Sequence, residues 1–244
     1  VWMNDSIIFL GQSRDRSFQF LKYTVGNGTN RVEQMRLRGD GGGDSFFESD
    51  LLSDSEDEPP LRNPVVNPST GVVAFLLYEQ YPEPTYTVCI TDPNSDETVD
   101  RLYDVSGGRS ISSVGWLDRS TLVFVEVRSS RESALFTLDV QSGRATERES
   151  GYAKPATSFG NDRIAVVARE GRDDQVYVLD GNFNRVADTD IRGRVTNMSW
   201  DRSGTYLAVL VTGARGPEIM LWDSERKRAQ KAGEDVFVPE VGAI

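Results

Sequence analysis

Acid–base chemistry in these 244 residues would have to come from carboxylates, lysines, tyrosines or one thiol, because the chain contains no histidine. That absence excludes Ser-His-Asp and Cys-His catalysis, His-ligated zinc or iron, and an imidazole general base from these residues. The lone cysteine, Cys89, has no partner for an internal disulfide, and one thiolate does not make a metal cage. It sits mid-strand in an apolar run, where a small buried thiol is the expected state; reactive thiols need an exposed, electropositive setting. Carboxylate pairs are the chemistry that remains. We therefore expect no hydrolase or transferase activity, assign no catalytic residue, and expect no cofactor and no resident metal.

The carboxylates that stand out are repeated. Short hydrophobic runs end on aspartate at Tyr86–Asp92, Ala134–Asp139, Gln175–Asp180 and Glu218–Asp223, and the aspartates lie 47, 41 and 43 residues apart. A fifth copy without the Asp covers Phe18–Val25. A catalytic carboxylate would not recur in every copy. An acceptor for the amides of a following turn would, so these aspartates read as four equivalent structural devices.

The elements that carry them follow from the same period. A repeat near 42 residues, made of strands and turns, is the size of one four-stranded propeller blade. Each copy reads as a strand, a tight turn, a β-branched strand, a longer loop, the Asp-terminated strand, a second turn and a last strand. The first turns are Asn4-Asp5-Ser6, Asn67–Gly71, Asp118-Arg119-Ser120, Asn161-Asp162-Arg163 and Asp201–Gly204. Their residue types tolerate left-handed backbone or bond their own amides. Trp2, Trp116, Phe159 and Trp200 precede four of them, as ring fillers between neighbouring blades. The runs Ile7–Leu10, Val72–Leu77, Leu122–Val127, Ile164–Ala168 and Tyr206–Val211 have the length and branching of buried strands. No helix of ten or more residues is expected. The outcome is an all-β chain: a β-propeller with about five blades visible, as a closed ring or part of a larger one, in a single domain over residues 1–244.

The runs Ser69–Phe75 and Ser203–Val209, followed by strands ending Val176–Asp180 and Glu218–Asp223, resemble TolB-like and WD40-like β-propeller repeats. The resemblance spans the chain outside residues 38–62. It implies a ring of blades used as a docking surface, in a soluble compartment that TolB-like proteins make extracytoplasmic or periplasmic. Departures are the missing Gly-His dipeptide and a single Trp222-Asp223 pair. With Val1 first and no signal-peptide pattern in view, the chain reads as a trimmed or processed product.

Two features are candidates for partner contact. Residues 38–62 form an insertion between the first and second blades, with eight acids and no base across 39–58. Of the net charge of −11, those eight leave about −3 for the remainder (−11 + 8). The insertion has three readings: a solvated loop, a partner-docking segment with Phe46, Phe47, Leu51 and Leu52 as anchors, and a calcium site, although its spacing is not that of an EF-hand. Ser53 and Ser55 lie in acidic context that suits phosphorylation. The second feature is a set of loop arginines: Arg14, Arg16, Arg128, Arg131, Arg169, Arg172 and Arg215, joined by Arg109, Arg192 and Arg194 from loops leading into the next blade. Guanidinium groups gathered on one face suit carboxylates or phosphates. Asp15, Glu132, Glu170, Asp173, Asp174 and Glu218 stand beside them and offer the opposite reading, ordinary solvated pairs.

Net negative charge disfavours nucleic acid, whose binding rests on phosphate contacts. No run is long and apolar enough for a membrane helix, and nothing indicates a small-molecule ligand. The first functional reading is a non-enzymatic scaffold that docks protein partners within a larger assembly. The alternative is the gating propeller of a prolyl-oligopeptidase-like serine peptidase whose catalytic domain lies outside these residues. A self-contained carboxylate–metal hydrolase is the third.

Overall fold

The computed structural model describes residues 2–3, 6–12, 18–24, 31–34, 61–80, 82–92, 99–170, 173–213 and 216–232. All regular structure among them is β, and no helix of any length is present to cross a membrane. The chain divides into two compact units, Val1–Val114 and Gly115–Ile244.

In the first unit, β1 (Trp2–Met3), β2 (Ser6–Gln12), β3 (Phe18–Thr24) and β4 (Arg31–Gln34) form one antiparallel sheet. A second contains β5 (Leu61–Val66), β6 (Val73–Glu79), β7 (Thr85–Thr91) and β8 (Val99–Val105). Leu61 and Arg62, placed in the insertion by sequence, thus belong to the second blade. Its middle strands bury Phe75, Leu76, Leu77, Val88 and Cys89 almost completely. Burial pushes the Cys89 thiol up to about 12, the inert state expected of it.

The third sheet runs β12 (Arg144–Ser150), β11 (Ser133–Asp139), β10 (Thr121–Val127), β9 (Ser110–Trp116), and β9 straddles the boundary between the units. The fourth and fifth blades are continuous. β13 (Tyr152–Ser158), β14 (Arg163–Glu170) and β15 (Asp173–Asp180) lead into the 16-residue β16 (Arg185–Trp200), then β17 (Tyr206–Gly213), β18 (Gly216–Asp223) and β19 (Arg228–Lys231). The first part of β16 pairs with β15 and the second part with β17. The chain bends between them at Asp190 (φ 57°) and Gly193 (φ 124°) without breaking the strand.

Side-chain alternation explains why the middle strands read as unbroken apolar runs. Ile164 and Val166 of β14 pack with Leu117, Val123, Val125 and Leu135 toward the third blade. Ala165 and Val167, one residue out of phase, pack with Val195, Leu207 and Val209 toward the fifth. A strand buried on both faces carries apolar residues at every position. Each large side chain so buried contributes about 1.5–3 kcal/mol.

The turn aspartates act as the repeat predicts. Asp139 Oδ1 accepts from the Ser142 amide and hydroxyl, Asp180 Oδ1 from the amides of Asn182 and Asn184, and Asp223 Oδ1 from those of Glu225 and Arg226. Asp92 follows β7, and the turn beyond it lies outside the described residues. Among the first turns, Asn67, Asp118 and Asp201 accept amides two to five residues on. Asn161 departs from this pattern: its amide donates to Ser158 Oγ and to the Phe159 carbonyl.

Gly204 locks the fourth-blade turn against the fifth. It has φ 70°, and a Cβ there would lie 2.5 Å from Ser158 Oγ and 2.8 Å from Asn161 Cγ. Its carbonyl accepts from Arg163 at 2.9 Å, and nearby Trp200 Nε1 donates to the Ala156 carbonyl at 3.0 Å.

Candidate docking site

The arginines selected from sequence separate into distinct environments. Arg128, at the end of the third blade's β10–β11 connection, is matched by acids. Its Nε donates to Glu126 Oε1 at 3.1 Å and its Nη2 to Glu147 Oε2 at 2.7 Å, with Glu132 at 3.7 Å. Glu126 is 1% exposed, so this arginine neutralises a buried carboxylate. Those hydrogen bonds, to Glu147 first and Glu126 second, raise its pKa above the usual arginine value. Arg131 is exposed in the tight turn between Ser129 and Glu132. The backbone of Arg169 pairs with Asp174 across β14 and β15. Arg172 and Arg215 lie outside the described residues, as do Phe46, Phe47, Leu51 and Leu52 of the insertion.

Arg192 and Arg194 do not sit in a loop. Both belong to β16, where Arg192 pairs with Gln175 and Arg194 with Thr212. The outer strand of one blade runs directly into the inner strand of the next, and that continuity carries them. Arg194 is exposed.

What collects around Arg194 was not legible in the sequence. Lys154, in the inner strand of the fourth blade, has φ 49° at an irregularity between Ala153 and Ala156. A left-handed non-glycine residue costs on the order of 1–2 kcal/mol. The bulge turns its side chain across to the fifth blade, where Nζ donates to the Val195 carbonyl. The Val195 amide donates to Asp174 Oδ2 at 3.0 Å. One residue of the inner strand is thus held from both sides, by a lysine and an aspartate of the preceding blade. Burial lowers the Lys154 pKa; the Asp174 carboxylate opposes this, and the smaller effect of the Arg194 charge lowers it further. Two cations and one carboxylate share this corner, and the fold holds the ammonium at a cost.

The same device occurs in the second blade. Asn63 also has φ 51°, also precedes a proline, and donates through Nδ2 to the Ser112 carbonyl at 3.1 Å. Asn-Pro and Lys-Pro in the inner strand were the available signal. Proline supplies no amide to the ladder, so it favours a bulge at that point.

Among the described residues, no group of three or more Cys, Asp or Glu is placed to hold a metal.

Solved structures share this arrangement of blades. TolB from Acinetobacter baumannii superposes with a TM-score of 0.62 at 15% identity, covering 93% of this chain and 51% of that one. The fold is a TolB-like β-propeller. Acylaminoacyl peptidase from Pyrococcus horikoshii matches with a TM-score of 0.61 at 11% identity, over 94% of this chain and 39% of the peptidase. Oligogalacturonate lyase from Vibrio parahaemolyticus gives 0.59 at 10% identity, over 93% and 61%. The propeller therefore spans about half of the TolB chain and less than two thirds of the other two. No family model and no curated protein matches the sequence.

Proposed function

We propose that this propeller is a non-enzymatic scaffold that docks a protein partner as a subunit of a larger assembly. The Lys154–Arg194 corner is its point of contact. The observation that carries the reading is that Lys154, in a left-handed backbone conformation, reaches across to the fifth blade and sets its ammonium beside a second cation, Arg194. Backbone strain retained at a partly desolvated ammonium is what a binding site holds in reserve for its ligand. A partner carboxylate placed there makes charge-assisted hydrogen bonds to two donors.

The likeness to acylaminoacyl peptidase favours a second reading, the gating propeller of a serine peptidase. A fluorophosphonate probe, which labels activated serines, separates the two when applied to the native particle carrying this chain. The scaffold reading expects no labelled polypeptide in that particle. A labelled one bearing this sequence would replace it with the gating reading.

A further inference from the structure

We propose that Arg148, where the third blade meets the fourth, is an anion-binding residue that receives a carboxylate from an acidic segment of a protein partner. A bulge in β12 places it there. Leu135 pairs with Glu149 and Phe136 with Glu147, so Arg148 is the extra residue between them and has no opposite number in β11. A bulge of this kind re-aims the side chain it carries. Arg148 Nε donates to Thr137 Oγ1 at 2.9 Å, and the guanidinium lies over the ring of Phe183 from the fourth blade, 5.5 Å from its centroid. Both supports are themselves fixed. Thr137 is buried, and Phe183 is held in left-handed backbone at φ 68° within the hydrophobic cluster that the two blades share.

Two other arginines of the same unit show what completes such a stack. Arg128 lies 5.8 Å from the Phe136 ring centroid, and its Nη groups grip both oxygens of Glu147, at 3.5 and 2.7 Å. Arg185 lies 3.5 Å from the Tyr177 ring centroid, and its Nη2 donates to Asp188 Oδ2 at 3.2 Å. Arg148 has the ring and the Nε anchor, but among the described residues no carboxylate pairs with its Nη groups. Glu147, its neighbour in the strand, is taken by Arg128. Arg148 is nonetheless exposed. A guanidinium held at one face and at Nε presents its two Nη groups as a fixed fork, which a carboxylate fills with two parallel bonds. Holding that fork in advance lowers the ordering cost of binding. The occupant is a carboxylate rather than a phosphate because carboxylates complete both of the comparable stacks in this chain. The contact lies at a different blade boundary from the Lys154–Arg194 corner and stands without it.

Nitrogen-15 labelling of the arginines in the full chain tests this, with the Arg148 Nε–H signal identified by its loss in Arg148→Lys. The probe is a tri-glutamate peptide blocked at both ends. We expect the Arg148 signal to shift saturably with a dissociation constant below about 10 mM, while the signal of Arg128, already paired, stays in place. Thr137→Val removes the Nε acceptor and should raise that dissociation constant at least threefold. An Arg148 signal that does not move overturns the proposal, as does an equal movement of Arg148 and Arg128. A dissociation constant unchanged by Thr137→Val also overturns it. Tighter binding of inorganic phosphate than of the peptide would overturn the assignment of a carboxylate.

Discussion

Lys154 Nζ donates to the Val195 carbonyl, and this bond crosses from the bulged inner strand of the fourth blade to the inner strand of the fifth. The bond and the left-handed backbone of Lys154 oppose each other energetically. One hydrogen bond contributes about 1 kcal/mol net, more with a charged donor, and the conformation costs about 1–2 kcal/mol. Lys154→Gly removes both, so urea unfolding should shift by less than about 1 kcal/mol. Lys154→Ala removes only the bond and should destabilise by about 1–2 kcal/mol. Equal losses in the two variants would show that backbone strain is not being relieved.

Gly204 is both left-handed and sterically closed, whereas Gly107, at φ 67°, has open space where an alanine would add its Cβ. Gly204→Ala should therefore cost more than about 2 kcal/mol and Gly107→Ala about 1 kcal/mol. Denaturant midpoints with unchanged slopes measure the difference. Equal losses would mean that the contact with Ser158 and Asn161 yields freely.

Arg128 is a stability residue in this account. Truncating it to Met leaves the Glu126 carboxylate buried without its guanidinium partner and should cost about 3–5 kcal/mol. Glu126→Gln in the same background should recover part of that loss, as read by thermal unfolding. A loss below about 1 kcal/mol, the range of an exposed pair, would return Arg128 to the set of surface contacts.

Acid should unfold the propeller through its turns. The Ser142 hydroxyl and amide hold Asp139 below the ordinary carboxylate range, and the Asn184 amide does the same for Asp180. For Asp201 burial acts upward, but bonds from Ser203 and Tyr206 prevail and its pKa is also lowered. A folded pKa below the unfolded value of about 3.9 stabilises above that pH and stops doing so as pH falls through the folded value. The part of the melting temperature that these groups support should hold from about pH 7 to about 5 and fall below about 4. Asp139→Asn/Asp180→Asn should flatten that acid limb, and an unchanged limb would assign it to other carboxylates.

The blades were legible because their signal is periodic. Aspartates at near-equal spacing, the first-turn residues and the unbroken apolar strands each report a local requirement that the fold repeats. The corner at Lys154 was not, because it depends on a bulge that redirects one side chain into the next blade. Arg194 was selected for the right charge but assigned to a loop, since no local residue marks where one strand becomes the next. Arg128 carried the same charge pattern in sequence. Only the burial of Glu126 distinguishes its role.

The most direct test of the docking account is quantitative recovery of protein bound to the native chain, comparing wild type with Lys154→Glu/Arg194→Glu at low and high salt. The account predicts one partner in stoichiometric yield from the wild type. Its recovery should fall at least tenfold on charge reversal, and should also fall as salt screens the exposed charges. Stoichiometric recovery that is indifferent to both the reversal and the salt would contradict it.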